Sequence, residues 1–211
     1  MKEKIKDNII GWLYSILLAF LIVFCMKTFI GMPTTVRGIS MENTLLPGEK
    51  LFMGTFIRIS KKVPDRGDII TFEAPSEDLA QSVNLKYPVA KYDKDTSSLM
   101  DKILYATLGI SKRSYIKRVI GVSGDHIKIE NGNVYLNGNL LEEEYLEEET
   151  KTEMVFDGFY DNVIVPDGYV YVLGDNRSAS IDSRKFGCIP IKRIEGKALF
   201  RWWPLNKFGK V

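Results

Sequence analysis

The spacing of apolar and polar positions divides the chain into two unlike parts. Residues 9–26, "IIGWLYSILLAFLIVFCM", run eighteen residues without a charge. As a helix this is about 27 Å long at ~1.5 Å per residue, close to the thickness of a bilayer core. Lys27 interrupts the run, but its aliphatic stem can reach toward the headgroups while "TFIGM" extends the apolar length. Residues 9–30 are therefore expected to form a single transmembrane anchor behind a short tail, residues 1–8. A removable secretory signal has an apolar core of about 7 to 15 residues followed by small residues at a cut site. This run is longer, and "FCMKTFIGMP" supplies no such site.

From residue 34 onward the pattern changes to short alternating stretches bounded by turns, which predicts a mainly β domain over residues 34–211. The clearest stretch is "HIKIENGNVYLNGN", residues 126–139. Ile127 and Ile129 alternate with polar residues, Asn131-Gly132 supplies a tight turn, and Val134 and Leu136 alternate on the return, which predicts a hairpin. Asp167-Gly168 separates "NVIV" from "YVYVL", and Pro166 predicts that the first of these strands stops early or lies at a sheet edge. Further strands are predicted at "KLFMGTF", "GDIITF" and "GKALFRWW". Residues 76–112 are polar and too long for a simple loop, so they are expected to be an insertion or lid, with a helix around residues 98–110.

Composition narrows this picture. At 211 residues and 45% hydrophobic content the chain can bury one real core. Its 29 basic and 27 acidic residues are interspersed and leave a net charge of +2, with no basic patch aimed at nucleic acid. Cys25 lies inside the apolar run and Cys188 far beyond it, so no disulfide framework is expected. The run "EEEYLEEE", residues 142–149, is expected to be a solvated acidic face. Lys2, Lys4 and Lys6 on one flank of the anchor nearly balance Lys27 and Arg37 on the other. The shortness of the tail favours a cytoplasmic amino terminus, which puts everything after the anchor outside the cytoplasm.

The candidate chemistry begins at "RGISMENTLLPGEK", where Ser40 stands between a glycine and a turn. A serine hydroxyl needs a partner that takes its proton as it attacks. His126 is the one histidine in the chain, but Asp125 beside it in sequence cannot orient its ring. A zinc site lacks the required Cys and His cluster. A lysine can serve if burial brings its pKa from ~10.4 to about 7 or 8, which takes roughly 3 to 4 kcal/mol of destabilisation of the ammonium form. Lys117, in "YIKRVIGVSGD", has Tyr115 and Val119 as same-face neighbours on an alternating strand. Pattern alone leaves both bases open. A third segment, "LGDNRSASIDSRKFGCIP", residues 173–190, is a dense polar cluster that needs internal partners. Within it Asp182 and Arg184 can pair, and Ser180 can hydrogen-bond a neutral amine.

Taken in this order behind an amino-terminal anchor, these segments resemble the bacterial type I signal peptidases, the membrane-bound Ser-Lys leader peptidases. The resemblance spans essentially the whole chain: the anchor, "GISMENTLLPGEKL", "RGDIITFEAP", "YIKRVIGVSGD" and "GDNRSASIDSRKFGCIP". It implies a signal-peptidase/LexA-like coiled β-sheet catalytic domain, with Ser40 as nucleophile, Lys117 as general base and His126 a bystander. Ser180, Asp182 and Arg184 become supports, above a turn of Gly174, Asp175, Asn176 and Arg177. The oxyanion hole implied is the Ser40 backbone amide together with Gly38, where some relatives place a serine side chain; losing such a donor elsewhere costs about 3 to 4 kcal/mol. Met41, Leu45, Tyr115 and Ile116 fall where the family lines its substrate groove.

The reaction implied is peptide hydrolysis through an acyl-enzyme, with no cofactor and no metal. The partners implied are the signal peptides of exported preproteins, cut after small residues, and the lipid bilayer. A single-pass cell-membrane protein follows, and a monomer is expected. Three positions depart from the family pattern: Asn43 replaces the usual proline, and Ser178-Ala179 the usual Asp-Asn. A self-cleaving LexA-type repressor shares the Ser-Lys pair but needs a DNA-reading helix pair where this chain has an apolar segment. A membrane-anchored β domain that binds exported proteins without cutting them is the non-enzymatic rival.

Overall fold

The computed structural model describes residues 2–60, 62–76, 87–92, 113–148, 150–153 and 160–211. The uncharged run forms helix α1 (Lys2–Cys25), which loosens into a π-helical turn over Met26–Ile30. The span Ile9–Ile30 is long and apolar enough to cross a membrane. Its large side chains from Ile9 to Val23, Trp12 and Leu17 among them, stand exposed rather than packed on the rest of the protein. The joint to the β domain is held by Thr55, whose hydroxyl donates to the Thr28 carbonyl at 3.1 Å and whose N–H donates to Ile30 at 3.4 Å.

Beyond the joint the protein is mainly β, with eleven strands among the described residues in two antiparallel sheets. The larger sheet holds β1 (Gly31–Thr35), β2 (Lys50–Gly54), β3 (Ile69–Glu73), β4 (Ser114–Val122), β9 (Tyr169–Leu173), β10 (Ile189–Pro190) and β11 (Ile194–Trp203). Their order across it is β1-β2-β11-β3-β4-β9-β10. Pro33 sits in the edge strand β1, where a missing N–H costs no ladder bond. The smaller sheet holds β5 (His126–Glu130), β6 (Asn133–Leu136), β7 (Asn139–Leu140) and β8 (Asn162–Ile164), ordered β7-β6-β5-β8.

The expected hairpin over residues 126–139 is β5 paired with β6, and both turn residues, Asn131 and Gly132, have positive φ, as a twisted two-residue turn requires. The segment ending before Pro166 is β8, an edge strand that stops at Ile164. It does not pair with the strand after Asp167-Gly168: β8 joins the small sheet and β9 the large one. That turn therefore carries the chain between sheets. The two sheets meet over one apolar cluster in which Ile120, Tyr171 and Leu173 of the large sheet pack with Ile127, Val134 and Val163 of the small one. A second cluster, Val36, Met41, Leu45, Leu51, Met53, Ile69 and Ala198, lies under the loop that carries Ser40.

Most of the expected insertion, residues 76–112, lies outside the described residues, and so does the helix expected near 98–110. Its described part, residues 87–92, docks on the edge of the large sheet. There Val89 bridges Cys188 in parallel, with Cys188 N–H donating to Pro88 at 2.7 Å and Ala90 N–H to Cys188 at 2.9 Å.

Candidate active site

Ser40 sits in the loop between β1 and β2. Val36 and Glu49 close that loop with a backbone bond of 2.8 Å, and the Leu45 N–H turns back to the Met41 carbonyl at 2.6 Å. Met41 and Leu45 fill the cluster below and keep no exposed surface. They are the plugs that hold the loop down, so the expected role as groove-lining residues does not fit them: a substrate needs surface to touch. Tyr115 and Ile116, by contrast, are only half-buried.

Lys117 lies on β4 in register with Ile70 of β3. Only 3% of its surface is exposed, and its Nζ stands 2.6 Å from Ser40 Oγ, 3.1 Å from the Ile116 carbonyl and 5.4 Å from the centre of the Tyr115 ring. Burial penalises the ammonium form and brings the pKa down to about 8; the Arg184 charge acts in the same direction, and the charges of Asp182 and Asp175 oppose it. The lowered pKa provides a neutral amine in contact with the hydroxyl near neutral pH. His126 lies on β5 in the small sheet, its Nε2 2.6 Å from Asn162 Oδ1.

The polar segment after β9 wraps under this pair. Asp182 caps a short helix, α2 (Ser183–Phe186), accepts the Gly174 N–H at 3.1 Å, and takes two bonds of 2.8 Å from the Arg184 guanidinium. Both side chains are almost wholly buried, so each charge depends on the other. Arg184 also ties the segment together through the carbonyls of Arg177 at 2.7 Å and Glu153 at 2.7 Å. Ser180 is buried beside them, but its Oγ makes no hydrogen bond, so the bond expected between it and the lysine amine is not formed.

Gly174 has a steric reason to be glycine. A Cβ there would lie 2.2 Å from Ser180 Oγ and 2.5 Å from the Ser40 carbonyl oxygen. The same turn holds the Ser40 loop: the Asn176 N–H donates to Ser40 O at 3.0 Å, and Asn43 Nδ2 donates to Asp175 O at 3.2 Å. Asn43 therefore supplies a donor that a proline could not. Asn176 in turn caps the 3₁₀ turn Arg177–Ala179 by accepting from Ala179 N–H, with Ser178 Oγ 3.1 Å from its Oδ1. On the open side, Gly38 has nothing within 4 Å of where a Cβ would point. Among the described residues neither its N–H nor that of Ser40 donates a hydrogen bond. Neither N–H is committed to another acceptor among them.

Sequence reasoning missed a group of buried polar residues behind the pair. Arg118, next to Lys117, makes bonds of 2.9 and 2.7 Å to Asp175, which also accepts from Thr44 Oγ1 at 2.5 Å. Arg177 is buried against Glu143 and Thr152. The Tyr145 ring lies 3.9 Å under the Arg118 guanidinium. Glu143 thus departs from the expected solvated face: its side chain is only 9% exposed. The missed signal was the arginine in "GDNR", since a guanidinium buried in a turn requires a carboxylate from elsewhere in the chain.

Residues 9–203 match the family described as signal peptidase, peptidase S26. The chain is 30% identical over 211 residues to "Signal peptidase I P" of Bacillus subtilis subsp. natto, covering 98% of this chain and 95% of that protein. It is also 30% identical over 215 residues to "Signal peptidase IB" of Staphylococcus aureus (strain COL), covering 96% and 94%. A crystal structure of a signal peptidase I from Enterococcus faecalis V583 aligns with 64% of this chain and 97% of that chain, at 24% identity and a TM-score of 0.39. The family match over nearly the whole chain and the two near-full-length relatives lead to one conclusion: the chain belongs to the signal peptidase, peptidase S26, family.

Proposed function

We propose that the protein is a membrane-anchored serine endopeptidase that removes signal peptides from exported preproteins, with Ser40 as nucleophile and neutral Lys117 as general base. One contact carries this reading: Ser40 Oγ lies 2.6 Å from a lysine amine that is 3% exposed and whose pKa burial lowers to about 8. As Ser40 Oγ bonds to the carbonyl carbon of the scissile peptide, its proton passes to Lys117 Nζ. The oxyanion that forms is met by the N–H groups of Ser40 and Gly38. Collapse breaks the C–N bond, and the Lys117 ammonium returns the proton to the leaving amine. Water then attacks the acyl-enzyme as Lys117 takes its proton; the bond from the acyl carbon to Ser40 Oγ breaks, Lys117 returns that proton to Oγ, and the signal fragment leaves as a free carboxylic acid. Asp182 and Arg184 hold the turn that carries Gly174 against Ser40, and Ser180 packs in the same contact.

Tyr115 and Ile116 are the half-buried residues next to Lys117 and form the base of the substrate groove in this reading. The span Ile9–Ile30 crosses the cell membrane once with the amino terminus in the cytoplasm, which puts the β domain outside, at the face where signal peptides emerge. The protein acts there as a monomer.

The test is cleavage of a purified preprotein in trans by the detergent-solubilised full-length protein. The wild type releases the mature chain, whereas Ser40→Ala and Lys117→Ala each lower the rate at least ~1,000-fold, as removal of a nucleophile or base does elsewhere. Cleavage that persists in either variant rules the mechanism out.

A further inference from the structure

Resting on that reading of the Ser40–Lys117 pair, we propose that Glu143 and Tyr145 are positioning residues. They form a latch from the acidic run between β7 and β8 that holds the two arginines on which the catalytic turn depends. The latch reaches the pair by two routes. Glu143 pairs with the Arg177 guanidinium through both carboxylate oxygens, and Thr152 Oγ1 accepts a further bond from Arg177. Arg177 Nε donates to the Gly174 carbonyl at 3.1 Å, and the Arg177 carbonyl accepts from Arg184 at 2.7 Å. Gly174 is the residue against which the Ser40 carbonyl and Ser180 are pressed.

The second route passes through Tyr145. Its hydroxyl donates to Glu143 at 2.5 Å, and its ring lies 3.9 Å from the Arg118 guanidinium. Arg118 follows Lys117 on β4 and grips Asp175, whose carbonyl accepts from Asn43 in the Ser40 loop. A carboxylate and an aromatic ring two residues apart thus fix both arginines, one leading to the nucleophile and one to the base.

This geometry separates Glu143 and Tyr145 from the rest of "EEEYLEEE". Glu142, Glu144, Glu147 and Glu148 are exposed, whereas the Glu143 side chain is 9% exposed and the Arg177 side chain fully buried. An exposed acidic face does not place one carboxylate on a buried guanidinium.

The charges around Lys117 set the direction of the effect. Asp182 and Asp175 favour its ammonium, Arg184 disfavours it, and Arg118 and the Tyr115 ring flank it on its own strand. Arg177 is balanced by Glu143, with Tyr145 and Thr152 against the same pair. Neutralising Glu143 leaves the Arg177 charge unbalanced, and an uncompensated positive charge disfavours a neighbouring ammonium form. The lysine then deprotonates at lower pH while the turn beneath Ser40 loses its brace.

The test compares full-length Glu143→Gln, Tyr145→Phe and, as a control from the same run, Glu144→Gln, by the pH profile of preprotein cleavage. Glu143→Gln is expected to lower kcat by about tenfold or more with KM within about twofold, the pattern of lost positioning. It is also expected to move the acidic limb downward by about half a pH unit, and Glu144→Gln to match the wild type. Tyr145→Phe keeps the ring and loses one hydroxyl, so it remains folded if Glu143→Gln does not, and it shows a smaller loss of kcat in the same direction. Wild-type kcat and limb position in the folded variants overturn the latch, and so does a loss confined to melting temperature. Absence of Ser40-dependent cleavage in the wild type instead overturns the peptidase reading, which separates the two failures.

Discussion

The carbonyl oxygen of Ser40 lies 2.5 Å from the point where Gly174 would carry a Cβ, so the backbone of the Ser40 loop and the end of β9 meet with no room for a methyl group. Ser180 Oγ is closer still to that point, at 2.2 Å. The hydroxyl loop therefore takes its position from a backbone-to-backbone contact as well as from side chains.

Gly174→Ala tests this contact. The added methyl must push the Ser40 carbonyl or Ser180 aside. Overpacking of this kind costs ~1–3 kcal/mol, and a displacement of about 1 Å at a reacting group costs about 100-fold in rate. The variant is expected to fold, to melt lower, and to lose about two orders of magnitude in kcat on a preprotein. A rate within threefold of the wild type would show that the contact does not position the nucleophile.

Lys117 makes opposite predictions for activity and stability. In the proposed mechanism the free amine is the active form, so below about pH 8 the rate should climb about tenfold per pH unit and level off above it. For stability, the folded pKa of about 8 lies below the usual 10.5, so between these values the folded protein binds fewer protons than the unfolded chain and stability rises with pH. The full penalty is present below about pH 8 and is gone above 10.5; at ~1.36 kcal/mol per pK unit it is about 3 kcal/mol. Lys117→Met should therefore be inactive yet more resistant to denaturant at neutral pH, with the advantage fading as the pH approaches 10.5. Chemical denaturation of both proteins across that range checks the sign, and a Met variant that is less stable at neutral pH contradicts it.

Strand alternation made much of the scaffold legible, because a residue's face follows from its position in a strand. It gave the hairpin at Asn131-Gly132 and the shared face of Tyr115 and Lys117, while Pro166 marked β8 as a strand that stops early or lies at an edge. It could not tell which distant segment covers that face. Lys117 is dry because the loop after β1 and the turn after β9 close over it, a tertiary fact absent from "YIKRVIGVSGD". The same limit explains Met41 and Leu45, adjacent in sequence to the nucleophile loop's tip but turned inward as plugs. It also explains Glu143, which resembles its exposed neighbours until the buried guanidinium of Arg177 is placed against it.

Asp182 makes a prediction of mixed sign. Its charge favours the Lys117 ammonium, so Asp182→Asn should move the acidic limb to lower pH. Arg184, left without its carboxylate, disfavours the ammonium in the same direction. The variant also strands a buried guanidinium, which typically costs ~3–5 kcal/mol. Cleavage measured at low temperature, where the weakened protein remains folded, should show the shifted limb. A limb that stays in place or moves upward refutes the electrostatic role assigned to this pair.

The anchor supplies the last prediction. From Ile9 to Val23 the large apolar side chains of helix α1 stand exposed, and the joint is made by Thr55 bonding to Thr28 and Ile30, beyond the helix. Deleting residues 2–25 thus leaves those joint bonds and every residue of the proposed site in place. Against a short soluble peptide spanning a cleavage site, the shortened protein should match the full-length enzyme within about threefold. Against a preprotein embedded in vesicles it should be slower by about 100-fold or more, since tethering both partners to one surface raises effective concentration by ~10²–10⁴. Adding the helix of an unrelated single-pass protein in place of residues 2–25 should restore most of that loss, because the tether acts through location rather than contact. If the shortened protein fails equally on both substrates, α1 serves the catalytic site directly and the division of the chain into tether and catalyst is wrong.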